Sequence, residues 1–183
     1  MINQIRKYYY RKKIKSVLGE AKKVNHRKTD LNECKSVGIL FDATEEYSYT
    51  SVEHFADRLK IKDIEFLGFI NFSKKKLGQK NIPFNHFLAS DVNWYGIPQN
   101  AAVDKFMQRH FDILFNLTAN NNQSELVLDY IMANSKASFR VGEFKEDKDY
   151  CYDFMINLKS TDKLPELIKQ IEMYLPMFNE KLT

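Results

Sequence analysis

Phe111-Asp-Ile-Leu-Phe-Asn-Leu117 is the stretch of sequence that decides the fold. Its apolar residues occupy both sets of alternate positions, so both faces of a strand formed here would be covered. Strands that are buried on both faces are typical of parallel sheets with helices on each side. The sequence therefore predicts Phe111–Leu117 as a central strand.

Outward from this strand, apolar runs alternate with helical patterns. Further strands are predicted over Ser36–Phe41, Asp63–Asn71 and Phe84–Leu88. Helices are predicted from the capping box Thr50-Ser-Val-Glu53 onward, over Asn100–Arg109, from a cap at Asn122, and over Leu164–Phe178. This alternation predicts an α/β fold: a single three-layer domain with a mostly parallel sheet of five or six strands.

Two more strands are predicted near the C-terminus, over Ala137–Phe144 and Tyr150–Leu158. The five polar residues between them are too few for a crossover connection, so we expect an antiparallel edge hairpin. Alternation along the second strand would then place Tyr152, Phe154, Ile156 and Leu158 on one face.

The composition sets limits on the class of protein. The chain has 183 residues, is 44% hydrophobic and carries a formal net charge of +4, which is typical of a folded globular domain. No apolar stretch approaches the roughly 20 residues of a membrane-spanning helix. Cys34 and Cys151 have no metal-ligand spacing around them, and no secretory signal begins the sequence. We therefore expect a cytoplasmic protein with reduced thiols.

The positive charge is concentrated at the N-terminus. Residues 1–28 hold ten Lys or Arg and one Glu, a net +9, which leaves −5 for the rest of the chain. We predict a basic amphipathic helix in residues 1–28, packed on or extending from a Rossmann-like domain at residues 36–183. One stripe of this helix consists of Lys7, Arg11, Lys15 and Lys22. These side chains are either solvated, docked on an acidic surface, or in contact with the phosphates of nucleic acid or an anionic membrane.

The loops that follow two predicted strands carry the candidate ligand-binding residues. In open α/β sheets, ligands bind beyond the carboxyl ends of the strands, where the strand order reverses. With a 3-2-1-4-5 order, the ends of the first strand and of Phe111–Leu117 flank that crevice. The polar side chains there are Asp42, Thr44, Thr118, Asn120 and Asn121. The alternative is that they only cap turns and helices.

Sequence motifs for cofactors are missing from these loops. Asp42-Ala-Thr-Glu-Glu46 follows the first strand, with no glycine fingerprint for a pyrophosphate and no P-loop. His26, His54, His86 and His110 form no ligand pair at helical spacing. We therefore expect no cofactor and no metal.

A second cluster lies in the loop Asp91-Val-Asn-Trp-Tyr-Gly-Ile-Pro98, which holds the only tryptophan. It predicts either a recognition loop or a tryptophan that anchors the connection to the core. We favour the anchor.

Part of the chain resembles a known enzyme family. The strand Phe111–Leu117, the helix after it and Ala137-Ser-Phe-Arg-Val-Gly142 resemble the N-terminal domain of heptosyltransferase-type glycosyltransferases. Those enzymes bind the nucleotide sugar mainly in a second domain, for which this chain is too short. The whole pattern also resembles an uncharacterised family of small bacterial single-domain α/β proteins, a resemblance that implies no activity.

Three functions follow from this sequence. The favoured one is a non-enzymatic binding or interaction module for a protein partner or a small polar ligand. The second is a glycosyltransferase-like or nucleotide- or sugar-binding half-enzyme that uses the strand-end crevice. The third is a binder of nucleic acid or anionic membrane through residues 1–28.

Overall fold

The computed structural model describes residues 33–72, 81–119, 124–146, 151–159, 161 and 163–176. The predicted basic helix, including Lys7, Arg11, Lys15 and Lys22, lies outside the described residues, and so do Asn120 and Asn121.

Six parallel strands form one sheet, and four α-helices are seen in the described residues. In chain order the elements are β1 (Ser36–Asp42), α1 (Glu46–Leu59), β2 (Asp63–Ile70), β3 (Asn85–Leu88), a 3₁₀ turn (Ala89–Asp91), α2 (Ala101–Gln108), β4 (Ile113–Leu117), α3 (Glu125–Asn134), β5 (Phe139–Glu143), β6 (Phe154–Ile156) and α4 (Leu164–Tyr174). The order across the sheet is β3-β2-β1-β4-β5-β6, and every neighbouring pair is parallel. This is an α/β fold with the strand order of the doubly wound dinucleotide-binding proteins.

The predicted central strand is confirmed. β4 begins two residues later than predicted, at Ile113, and lies between β1 and β5 with all five of its residues buried. Phe115 packs edge-to-face on Phe55 of α1, whereas Leu114 faces the layer that holds α2 and α3. Burial on both faces explains why this stretch reads as continuously apolar.

Alternate side chains along each central strand pack into the two apolar layers on opposite faces of the sheet. Val37, Ile39 and Phe41 of β1 pack with α1 and α4, while Leu40 packs with α2 and α3 on the opposite face. α1 begins at Glu46 rather than at the predicted capping box, so Thr50 lies inside the helix. The described residues include no helix with the length and apolarity that crossing a bilayer requires.

The predicted antiparallel edge hairpin is wrong. β6 starts at Phe154 rather than Tyr150, so the connection from β5 is twice as long as we predicted, and β6 pairs parallel to β5. Tyr152 belongs to this connection and packs in the α2–α3 layer, whereas Ile156 packs in the α1–α4 layer. Parallel neighbours need a crossover connection, and a tight hairpin cannot join them.

Side-chain contacts tie the amino ends of the strands together. The Asp112 carboxylate accepts hydrogen bonds from Lys35 N at 2.9 Å, Ser36 N at 3.0 Å and Ser36 Oγ at 3.0 Å. Partial burial would raise the pKa of Asp112, but these donors and nearby His110 lower it below its usual value. Arg109 pairs with Asp63 and with Glu65 of β2. Polar groups at this edge are thus paired with one another.

Candidate functional site

The strand order reverses between β1 and β4. From β1 the chain runs through β2 to β3 on one side, and then returns to β4 on the other side. The carboxyl ends of β1 and β4 are therefore adjacent at this reversal, which is the strand order that the candidate ligand-binding residues required. Phe41 is the register partner of Leu117. Asp42, the last residue of β1, and Thr118, the first residue after β4, therefore lie at the same level of the sheet.

At the end of β1, Asp42 and Thr44 build the turn. Asp42 Oδ1 accepts a hydrogen bond from Thr44 N at 2.9 Å, and Thr44 Oγ1 accepts one from Asn71 N at 2.9 Å. Ala43 N donates to Phe69 O at 2.7 Å. These bonds join the end of β1 to the end of β2, so part of the hydrogen-bonding capacity of both side chains is used within the fold.

At the end of β4, Thr118 differs from the β1 residues. It is only 7% exposed, and its hydroxyl oxygen has no hydrogen-bond partner in the described part of the chain. Leaving a buried hydroxyl without a partner costs about 1–3 kcal/mol. This cost marks Thr118 as the predicted site residue with unused hydrogen-bonding capacity.

Two more buried side-chain atoms in the described residues lack a partner, Asn116 Oδ1 and Ser124 Oγ. Asn116 lies two positions before Thr118, so both side chains point to the same face of the sheet. Ser124 directly precedes α3 and is fully buried, and its side chain does not cap the helix. In sequence, the three residues lie close together, at the end of β4 and just before α3.

The Asn116 amide is oriented by a buried chain of hydrogen bonds. Its Nδ2 donates to the Tyr152 hydroxyl at 2.7 Å, which donates in turn to Asp129 Oδ1 of α3 at 2.9 Å. Burial, followed by the charge of Asp129, raises the pKa of Tyr152 well above its usual value, so the hydroxyl stays protonated. With Nδ2 engaged in this way, the amide presents Oδ1 as an acceptor.

Sequence reasoning missed Asn116, Ser124, Asp129 and Tyr152. The sequence did hold a signal for Asn116, because an amide inside an otherwise apolar central strand destabilises the fold unless it is hydrogen-bonded. Tyr152 could not be found in the same way, because it was assigned to a strand that begins two residues later.

The charges around the crevice disfavour an anion at β1. Asp42 ends β1, and the exposed Glu45 occupies the N-cap of α1 without a side-chain capping bond. The start of α1 is where a phosphate binds in the dinucleotide-binding folds, and a carboxylate there repels it. No group of three or more His, Cys, Asp or Glu side chains in the described residues could hold a metal ion.

The prediction that Trp94 anchors the loop from Asp91 to Pro98 to the core is wrong. Trp94 is 53% exposed and Tyr95 is 45% exposed, so neither ring is anchored in the core. Their rings form an edge-to-face pair with centroids 5.1 Å apart. The alternative of a recognition loop remains a prediction.

One comparison with known proteins gives a match. The model of a family of unknown function, DUF6913, matches residues 6–178, which fits the resemblance to an uncharacterised family. No curated protein and no solved structure matches the chain. The comparisons give no support to the resemblance to glycosyltransferases.

Proposed function

We propose that this chain, which belongs to the family of unknown function DUF6913, is a binding module for a small, uncharged polar ligand in the crevice between β1 and β4. The observation that carries the proposal is the buried, unpartnered hydroxyl of Thr118 at the point where the strand order reverses. A ligand that hydrogen-bonds to this hydroxyl would recover the free energy that its burial costs.

The chemistry of the segment indicates what such a ligand offers. Asn116 presents an acceptor, so the ligand would supply an N–H or O–H donor. The hydroxyls of Thr118 and Ser124 can each donate or accept. Hydroxyl-rich molecules such as sugars and nucleosides meet these requirements without a phosphate, which the exposed Glu45 at the start of α1 would repel.

Binding rather than catalysis is proposed because the three unpartnered groups are neutral hydrogen-bonding groups. A Ser–His contact does occur, between Ser138 Oγ and His110 Nε2 at 3.3 Å, but it is exposed and lies at the amino end of the sheet. The nearby Asp112 carboxylate is directed at the start of β1. A nucleophile needs a base that is itself oriented by a third group, and this geometry does not provide one.

The test is Thr118→Val, which keeps the shape of the side chain and removes the hydroxyl. Wild type and variant are screened by thermal shift and calorimetry against nucleosides, nucleoside monophosphates, monosaccharides and disaccharides. We expect nucleosides or sugars to stabilise the wild type. Without ligand, Thr118→Val should be as stable as wild type or more so, because no hydrogen bond is lost; its ligand response should disappear.

The matched control is Ser135→Ala. Ser135 is equally buried, but its hydroxyl donates to Met132 O at 2.9 Å. This variant should lose stability and keep the ligand response. The proposal is overturned if Thr118→Val is destabilised as Ser135→Ala is, if it still responds to ligand, or if no member of the panel stabilises the wild type.

A further inference from the structure

The loop between β3 and α2 ends in a tip that its own hydrogen bonds hold in place. Asn93 Oδ1 accepts from Tyr95 N at 3.0 Å and from Ile97 N at 3.1 Å, and Asn93 N donates to Ile97 O at 2.9 Å. Gly96 turns the chain with a φ of 85°, which a side chain would strain. Below the tip, Val92 pairs with Pro98 in an antiparallel bridge.

The base of the loop is fixed as firmly. Asp91 Oδ2 accepts from Leu88 N at 2.9 Å and from Asn100 Nδ2 at 3.1 Å. Asn100 Oδ1 in turn caps α2 through Ala102 N at 2.9 Å. The two large rings at the tip are therefore held outside the core by an ordered loop, so little conformational entropy is lost when a ligand contacts them.

The tip lies at the same edge of the sheet as Thr118. It follows the carboxyl end of β3 and leads into the first turn of α2. Since all strands are parallel, the carboxyl ends of β3 and β4 share that edge, and three strand spacings, about 14 Å, separate them. A ligand that contacts both the tip and Thr118 would therefore have to be elongated.

We propose that Trp94 stacks on a ring of the crevice ligand, which is therefore a molecule of at least two linked rings, such as a nucleoside or a disaccharide. This inference rests on the proposed function and specifies its ligand. The loop from Val92 to Pro98 has no charged side chain, so it offers an aromatic face rather than a charge. The Trp94 ring is 53% exposed and so has accessible surface for stacking on a base or a sugar.

Trp94 is the only tryptophan, so tryptophan emission, excited at wavelengths where tyrosine does not absorb, reports on this position alone. Nucleosides and disaccharides are titrated separately into wild type, and the emission change is compared with the affinity from calorimetry. The two titrations distinguish a base from a sugar as the stacked ring. Monosaccharides should bind more weakly than disaccharides, because a single ring cannot reach both places.

Trp94→Ala should weaken binding roughly 5- to 150-fold, the range for losing one stacked ring. Trp94→Phe should restore most of the affinity, and the control Met173→Ala, which removes an exposed apolar side chain from α4, should bind as wild type does. Both Trp94 variants should melt as wild type does without ligand.

The two proposals fail in different ways. If a ligand binds in a Thr118-dependent manner but leaves the emission unchanged and binds Trp94→Ala with full affinity, the stacking inference is overturned and the proposed function stands. If ligand binding depends on Trp94 but not on Thr118, the crevice is not the site and both proposals are overturned.

Discussion

Tyr152→Phe tests whether the buried chain of hydrogen bonds stabilises the fold. The tyrosine hydroxyl accepts from Asn116 Nδ2 and donates to Asp129 Oδ1, and it is enclosed in the layer formed with α2 and α3. The substitution keeps the ring over Gly142 and removes one atom. The amide loses the acceptor for its Nδ2, and the carboxylate loses one donor.

The expected magnitude follows from these two losses. A buried polar group that loses its partner costs about 1–3 kcal/mol, and a hydrogen bond to a charged group is worth about 1.5–3 kcal/mol. We therefore expect Tyr152→Phe to lower the free energy of unfolding by about 2.5–6 kcal/mol. For a chain of this size, each kcal/mol lowers Tm by about 2–4 °C, so the melting temperature should fall by about 5–24 °C.

The assay is urea unfolding and calorimetry of Tyr152→Phe beside Tyr49→Phe. The Tyr49 hydroxyl also hydrogen-bonds to a carboxylate, Glu53 Oε1 at 3.0 Å, but in an exposed position. That variant should stay within about 0.5 kcal/mol of wild type. If the two variants had equal free energies of unfolding, the buried hydrogen bonds of Tyr152 would not stabilise the fold.

Alkaline pH provides a second readout of the same residue. Because the folded pKa of Tyr152 lies well above its unfolded value of about 10, the unfolded chain releases this proton first as the pH rises. The stability from neutral Tyr152 is complete below pH 10 and is lost above it. The stability gap between wild type and Tyr152→Phe should therefore narrow above about pH 10.

Three further predictions concern other packed or polar positions. A Cβ added at Gly142 would lie 2.4 Å from Tyr152 Cε1, so Gly142→Ala should cost about 1–3 kcal/mol in chemical denaturation by displacing that ring; an unchanged midpoint would contradict this packing. The pKa of Asp112 is lower in the folded protein than in the unfolded chain, so its stabilising effect is complete above about pH 4 and is lost as the pH falls below that. Asp112→Asn should be less stable than wild type at neutral pH, and its free energy of unfolding should depend less on acid pH. Parallel curves of stability against pH for the two proteins would contradict this prediction. Burial raises the pKa of Cys34 to about 11, so its alkylation rate should keep rising up to that pH, whereas a plateau near pH 8.5 would indicate an ordinary exposed thiol.

The positions of the central strands could be predicted because their signals are local. β1, β2 and β4 are short apolar runs bounded by polar residues, and helical patterns between them leave few ways to connect parallel strands. The direction of β6 could not be predicted in this way. Tyr152 is apolar enough to extend a strand pattern. Its place in the other layer depends on distant residues, such as Asn116, 36 residues earlier in the chain, to which it is hydrogen-bonded.

Candidate residues for a site could be named from the sequence for the same reason. Asp42 and Thr118 follow from a rule about strand ends, which needs only the positions of β1 and β4. Whether a polar side chain at a strand end is already hydrogen-bonded within the protein depends on residues that are distant in the sequence. Thr44 was as good a candidate as Thr118 until the structure placed its oxygen against Asn71 N.

The contrast between the two edges of the sheet argues for a division between stability and function. At the amino edge the Asp112 carboxylate accepts from three donors and Arg109 joins two carboxylates, so polar groups there hold strands together. At the carboxyl end of β4, the buried hydroxyls of Thr118 and Ser124 do no comparable work in the described part of the chain. Valine and alanine would fill the same two places without that cost. Packing alone gives no reason for hydroxyls at these positions, whereas an ordered water or a ligand that hydrogen-bonds to them does.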